Sequence, residues 1–331
     1  MAKKDTKKSK STKAGASTKG SSKAMRSKVA VEADRAAKAT KHPDSKPAEA
    51  TPLASVTFSD ALRARDGFVL AECDPRSTPA FDGDKAAGKE ALELRAGEIG
   101  EFQERLYAEA KMDGQRSLLL VVQGMDTSGK GGIMRHVVGH MDPQGVRYTA
   151  FKAPSAEERQ HPFLWRIRNA LPSPGQIGVF DRSHYEDVLI VRVHDLVPKA
   201  TWSRRYAQIN AFEEKAVAEG TTVVKVMMHI SADEQKARLT ERLDRPDKQW
   251  KYNPGDVDER LQWPRYQEAY QAVLDRTSTD AAPWYVVPAD RKWYARLAVQ
   301  SLVLEHLEAM DPQWPAVDFD VAAEKERLRV S

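Results

Sequence analysis

Cysteine is almost absent: Cys73 is the only one among 331 residues. That excludes a disulfide framework and any cysteine-rich zinc site, and it suits a reducing compartment. The eight histidines are scattered and form no H-E-x-x-H pair. No apolar run approaches the ~20 residues that a membrane span needs. The basic N-terminus leads into no apolar core, so a secretory signal is not expected and the cytoplasm is the expected location. No internal repeat is visible.

What is there begins with an uneven charge. The chain carries +4 overall, yet residues 1–50 hold 14 Lys/Arg against 5 Asp/Glu, so the remainder is net acidic. This Lys/Ser/Ala-rich tail has little to bury, which predicts disorder. It reads either as a contact for nucleic acid, an acidic membrane surface or a polyanion, or as a solvated solubilising segment. Beyond it, the division expected is an extension at 51–115, a catalytic domain at 116–312 with a lid at about 236–256, and a tail at 313–331.

The chain is organised around Ser117 to Met141, SLLLVVQGMDTSGKGGIMRHVVGHM. A buried strand, Leu118 to Val122, runs into Gly124-Met125-Asp126-Thr127-Ser128-Gly129-Lys130, which fits G-x-x-x-x-G-K, and a helix follows. In that order, backbone N–H groups curl around an anion, the helix N-terminus adds partial positive charge, and Lys130 supplies a point charge. Gly124, Gly129, Gly131 and Gly132 belong to this phosphate cradle. Position 131 is Gly where a Mg²⁺-ligating Ser or Thr is usual, so Asp126 is the nearest substitute.

Further strands are expected at Val146 to Phe151, Gln176 to Phe180, Thr221 to Ile230 and Trp284 to Val287, with a short one at Phe68 to Leu70. Helices are expected at Lys85 to Met112, Trp202 to Glu219, Ala232 to Leu243 and Arg291 to Met310. Another should open at a Ser155–Glu158 capping box and bury Phe163, Leu164, Ile167 and Leu171. Strands alternating with helices predict a parallel sheet with helices on both faces and a site at its carboxyl edge.

The strand Gln176 to Phe180 ends in Asp181-Arg182-Ser183-His184-Tyr185-Glu186-Asp187. An apolar strand ending in Asp presents a carboxylate to a metal-bound nucleotide, and Arg182 is placed for phosphate. Ser183 and Glu186 have capping-box spacing. Arg238, Arg242 and Arg245 fall on one helical face and Lys248 continues the basic run, as a closing lid requires. Lys152, Arg159, Arg166 and Arg168 are candidates for a basic channel. Trp250, Tyr252, Trp263, Tyr266 and Tyr270 read as core beneath the lid, with stacking on a nucleobase left open for one of them. Together these residues describe phosphoryl transfer: Asp126 and Asp181 to Mg²⁺ (or Mn²⁺ in its place), and Lys130 and Arg182 to phosphate. Arg242, Arg245 and Lys248 would complete the shell on closure.

GMDTSGKGG, FDRSHYEDVL and RLDRPDKQWK resemble the two nucleotide motifs and the lid of the polyphosphate kinase 2 family. FKAPSAEERQHPFLWR and APWYVVPADRKWYAR are similar to family segments as well. The resemblance covers roughly residues 58–310. It implies a thymidylate-kinase-like, P-loop kinase-like α/β fold with a five-stranded parallel sheet flanked by helices. It also implies Mg²⁺-dependent transfer between inorganic polyphosphate and nucleoside mono- or diphosphates, in a dimer or tetramer. It maps roles onto Asp126, Lys130, Asp181, Arg182, Glu186 and Arg242, with Arg245 and Lys248 beside them, and turns Glu186 from a simple cap into a carboxylate either beside the metal or supporting its ligands. TSGKGG and HYEDV look like the subgroup that accepts both mono- and diphosphates. The residues alone leave two other readings open: an ATP-dependent nucleotide kinase, and a nucleic-acid-binding scaffold acting through the tail.

Overall fold

The computed structural model describes residues 56–331, so the tail at 1–50 lies outside the described residues. Five strands form one parallel sheet: β1 (Ser117–Gly124), β2 (Val146–Ala150), β3 (Ile177–Asp181), β4 (Thr221–His229) and β5 (Trp284–Pro288). Their spatial order is β2-β3-β1-β4-β5. β1 is buried along its whole length, which is why it reads as a continuous apolar run.

Alternation along the strands divides the core into two layers. Leu118, Leu120 and Val122 of β1 join Val224, Val226 and Met228 of β4 on one face, under the helices Lys85–Leu94, Ala96–Glu109 and Lys292–Met310. Leu119 and Val121 face the other way with Met227, Trp284 and Val286, under Lys199–Ala218 and Trp263–Thr277. The Lys292–Met310 helix is buried on nearly all sides rather than along one stripe, because the helices near the N-terminus cover its outer face. The register aligns Val122 of β1 with Asp181 of β3, so the phosphate loop and the end of β3 emerge side by side. This is the P-loop kinase-like α/β fold.

The segment before β1 seals the outer edge of β5. Ala64 donates to the Trp284 carbonyl at 2.8 Å, and Glu305 accepts the Phe58 and Ser59 N–H groups at 2.8 Å each. Phe58 and Leu62 enter the core.

Four expectations differ. The Phe68–Leu70 segment is not a strand; a 3-10 turn runs over Leu70–Glu72, because the sheet edge beside it is already taken by residues 63–64. The helix expected over Lys85–Met112 breaks at Arg95, beside Gly97, where helix propensity is lowest. The change of direction aims Leu92 and Ile99 inward and leaves Leu94 65% exposed. The Ser155–Glu158 box is made, Glu158 Oε2 accepting the Ser155 N–H at 2.7 Å and Ser155 Oγ accepting the Glu158 N–H at 3.1 Å. It closes only a 3-10 turn, since Pro162 has no N–H to continue a helix, and a short helix resumes at Trp165–Arg168. Trp250 is 78% exposed, whereas Tyr266 and Tyr270 are core. Among the described residues, no helix is long and apolar enough to cross a membrane.

Candidate active site

The loop after β1 bends through left-handed backbone at Gly124 (φ 150°), Thr127 (64°) and Gly129 (117°). At Gly124 a Cβ would stand 2.7 Å from both the Met228 carbonyl oxygen and Ser128 Oγ, so the loop lies directly on β4. Arg238, from the helix Ala232–Asp244, is buried beneath it. Its guanidinium donates to the Thr127 and Ser128 carbonyls (2.9 and 3.0 Å) and to those of Ala289 and Asp290 (2.7 and 2.9 Å). The first arginine of the lid row is therefore a staple holding the phosphate loop to the chain beyond β5.

Lys130 begins the next helix, and its ammonium folds back onto the Gly124 and Met125 carbonyls at 2.7 and 3.2 Å. Burial lowers its pKa, against the opposing attraction of Asp126. Thr127 Oγ1 and Ser128 Oγ are buried in the loop without hydrogen-bond partners. Buried hydroxyls left so cost stability.

Asp181 closes β3, and the Tyr148 hydroxyl donates to its Oδ2 at 3.3 Å. The next residue, Arg182, adopts left-handed backbone (φ 62°), and its guanidinium donates to Asp126 Oδ1 at 2.8 Å. A non-glycine residue held there costs about 1–3 kcal/mol, a strain that aims one side chain. Burial works against the Arg182 charge, but Glu186, Asp126 and Asp181 outweigh it and raise its pKa. Glu186 turns toward the same groups and accepts from Gln123 Nε2 at 3.2 Å. Burial raises its pKa, partly offset by Arg182 and Lys130. Ser183 Oγ caps the Tyr185 N–H, so the capping spacing is used for the serine while the glutamate faces the site.

Two cavities meet at Asp126, Phe151, Lys152 and Arg182. The larger, about 500 Å³, runs past the phosphate loop and is lined by Lys130, Arg135, Arg242, Lys248, Lys251, Lys292 and Arg296, with Asp181 and Glu241 as counter-charges. The smaller, about 340 Å³, is walled by Pro154, Leu189, Ile190, Tyr266 and Tyr270, with Arg166, Asn253 and Glu186 at polar positions. Its tyrosine and aliphatic side chains alternate with the carboxylates Asp187, Asp256 and Glu259, where the larger cavity is mostly cationic.

The structure thus brings Gly124, Asp126, Gly129, Lys130, Gly131, Gly132, Lys152, Asp181, Arg182, Glu186, Arg242 and Lys248 to these two connected spaces. Arg245 is not with them: it pairs with Glu241 and Asp247 at 3.0 and 2.9 Å on the outer side. Of the channel candidates, Lys152 lines both cavities and Arg166 the smaller, whereas Arg159 donates to the Pro154 carbonyl and Arg168, over Phe212, lines a separate cavity. Arg242 is held by Asp256 (3.1 Å) and by the Lys251 carbonyl (3.0 Å). Asp256 and Gln123 were not anticipated. Gln123 left a signal, the one polar residue closing the run LLLVVQ; Asp256 left none, since its partner is fourteen positions away in the chain.

Comparison with known proteins places this geometry. The sequence model of polyphosphate kinase 2 matches residues 82–315. The chain belongs to the polyphosphate kinase 2 family. The AMP/ADP-polyphosphate phosphotransferase of Meiothermus ruber is 46% identical over 248 residues, covering 75% of this chain and 91% of that protein. The ADP-polyphosphate phosphotransferase of Rhodopseudomonas palustris is 40% identical over 268 residues, covering 77% of this chain and 91% of its own. The crystal structure of polyphosphate kinase 2 from Arthrobacter aurescens TC1 superposes with a TM-score of 0.84 at 53% identity, covering 86% of this chain and all of that one. The family match spans the residues that line both cavities.

Proposed function

We propose that this member of the family is a polyphosphate:nucleotide phosphotransferase. It moves a phosphoryl group reversibly between inorganic polyphosphate in the larger cavity and a nucleoside mono- or diphosphate in the smaller. The carrying observation is the row of cations, Lys130, Arg135, Arg242, Lys248, Lys251, Lys292 and Arg296, that lines the larger cavity past the phosphate loop. A polymeric donor has no base to recognise and many charges to neutralise, and the tyrosine-lined space beside it suits a nucleoside.

Phosphoryl transfer needs in-line placement and charge neutralisation rather than covalent help from protein. Lys130 exchanges its loop carbonyls for the migrating group, Arg182 braces the same group from the β3 side, and Arg242 exchanges Asp256 for phosphate as the lid closes. Among the described residues, no three His, Cys, Asp or Glu side chains gather into a ready metal cage. Mg²⁺ takes one or two carboxylates and completes its shell with substrate phosphates and water. Asp126 and Asp181, with hard oxygen donors, would hold it, and Mn²⁺ would fit the same donors. The ion supplies charge neutralisation on the phosphates.

The deciding experiment mixes ADP with polyphosphate and Mg²⁺, without ATP, and follows ATP formation. ATP is expected, and Lys130→Ala should cut the rate by on the order of 10²–10³-fold or more. No ATP, alongside ATP-driven phosphorylation of nucleotides, would identify an ATP-dependent kinase instead. Initial rates with AMP, ADP, GMP and GDP then rank the acceptors, and light scattering tests the proposed homo-oligomer.

A further inference from the structure

Behind the active site lies a buried polar cluster that the proposed reaction does not use. Lys225 stands in the middle of β4, fully buried between Val224 and Val226. Its ammonium donates to Glu213 Oε2 at 2.6 Å, to the Tyr185 hydroxyl at 2.9 Å and to the Thr277 carbonyl at 2.7 Å. All three of its protons are thereby used. The other Glu213 oxygen accepts from the Tyr185 hydroxyl at 2.8 Å and bonds His184 Nε2 at 3.1 Å. The Tyr185 ring packs edge-on against Trp284, with centroids 4.7 Å apart.

His184 and Tyr185 open the turn that follows Asp181 and Arg182. Asp187, at the end of that turn, is fixed by Arg205 at 2.9 Å. His184 and Tyr185, the inward-facing members of the turn, are thus tied to the body of the protein. Glu186 and Arg182 face the opposite way, toward Gln123 and Asp126. One short turn separates a rigid charged anchor from two groups aimed at phosphate.

Stability does not account for this arrangement. A buried ion pair recovers its desolvation cost at best, and well-packed apolar side chains commonly do as well or better. What charged hydrogen bonds add is fixed direction. We infer that Lys225 and Glu213, acting through Tyr185 and His184, are positioning residues that aim Arg182 and Glu186 at the migrating phosphoryl. The inference rests on the phosphoryl-transfer reading and goes beyond it, because none of the four lines either active-site cavity.

Two variants test it without leaving a lone buried charge. Tyr185→Phe removes the hydroxyl that joins the ion pair to the turn, and Lys225→Met/Glu213→Gln replaces the pair by neutral groups of similar size. Each is combined with Arg182→Gln, and kcat per folded molecule and the Kd for inorganic tripolyphosphate are measured on all forms. Each variant alone should lower kcat by roughly tenfold to 10²-fold, the scale of a small misplacement of a catalytic group. Arg182→Gln should then cost about fivefold less, or smaller still, in either background than in the parent chain. Arg242→Ala, on the separate lid, should combine with both by simple multiplication.

A fall in Tm with kcat and Kd within about twofold of the parent, or full multiplication with Arg182→Gln, would show a purely structural cluster and overturn the proposal. Should one variant not fold, the other decides by the same criteria. If the parent chain makes no ATP from polyphosphate, the reading of the reaction fails. The tripolyphosphate Kd across the same cycle then still decides whether the cluster aims Arg182.

Discussion

Arg242 and Arg245 stand three positions apart on one helix end and have different surroundings. Arg242 opens on the cationic cavity and is bonded to Asp256, a partner it can trade for phosphate. Arg245 is exposed and already satisfied by Glu241 and Asp247. Arg242→Ala should therefore lower kcat by on the order of 10²-fold or more, as losing a donor to transition-state charge does. Arg245→Ala should stay within about twofold of the parent, because exposed pairs contribute little. Equal losses at the two positions would mean that a different face of this helix turns toward the substrate.

Glu186 carries the opposite tension, a carboxylate kept in the site against its own desolvation. Burial raises its pKa above the ordinary 4.5, and Arg182 and Lys130 recover only part of the shift. The folded state then holds this proton more tightly than the unfolded chain does. Its stabilising contribution is complete below the unfolded pKa and is lost as pH rises through the folded one. Glu186→Gln, neutral throughout, should melt higher than the parent near pH 7, with the gap closing toward pH 4. Calorimetry in phosphate-free, metal-free buffer reads this directly. A variant that melts lower at neutral pH would mean that attraction to Arg182 outweighs burial.

Among the elements, the phosphate loop separates glycines that geometry demands from glycines that it merely permits. At Gly131 an added Cβ meets nothing within 4 Å, so Gly131→Ser should fold as well as the parent. At Gly124 the same atom would strike the Met228 carbonyl oxygen at 2.7 Å in left-handed backbone. Gly124→Ala should cost about 1–3 kcal/mol in chemical denaturation, the range for overpacking a tight site. A Gly124→Ala protein as stable as the parent would mean that loop and β4 separate more readily than their packing implies.

The elements also show what was legible beforehand. All five strands read close to their observed limits; burial on both faces writes a continuous apolar run in β1 and β5, whereas the edge strand β2 (VRYTA) is only half-buried, and β1 with its loop declared the fold class. The lid row did not resolve: Arg238, Arg242 and Arg245 share one helical face in sequence, but only tertiary packing sinks the first under the loop. The Lys85–Met112 pattern concealed a bend, since apolar spacing is continuous across Arg95 while the axis turns. Lys225 was visible as a lone charge inside TTVVKVMMHI, yet its partners come from residues 185, 213 and 277. Local pattern reports which face is buried; it does not report which distant side chain meets a buried charge.

For the whole molecule, the tail and the body carry opposite net charge, so the body binds a polyanion only through a local concentration of cations. The larger cavity supplies one: Lys130, Arg182, Arg242, Lys248, Lys292 and Arg296 face one space, with few carboxylates among them. A long polyphosphate laid through it releases many counter-ions, whereas a nucleoside diphosphate releases few and adds apolar contacts in the smaller cavity. By analogy with nucleic acids, apparent affinity for the polymer should fall by on the order of 10³-fold between 50 and 200 mM KCl if about six cations take part. The KM for ADP, measured at saturating polyphosphate, should move far less. Removing one cavity cation, as in Arg296→Gln, should flatten the log–log slope for polyphosphate by close to one phosphate contact and leave that for ADP unchanged. Parallel salt slopes for the two substrates would mean that both bind the same few cations at the phosphate loop, and the extended basic track would have no role in holding the donor.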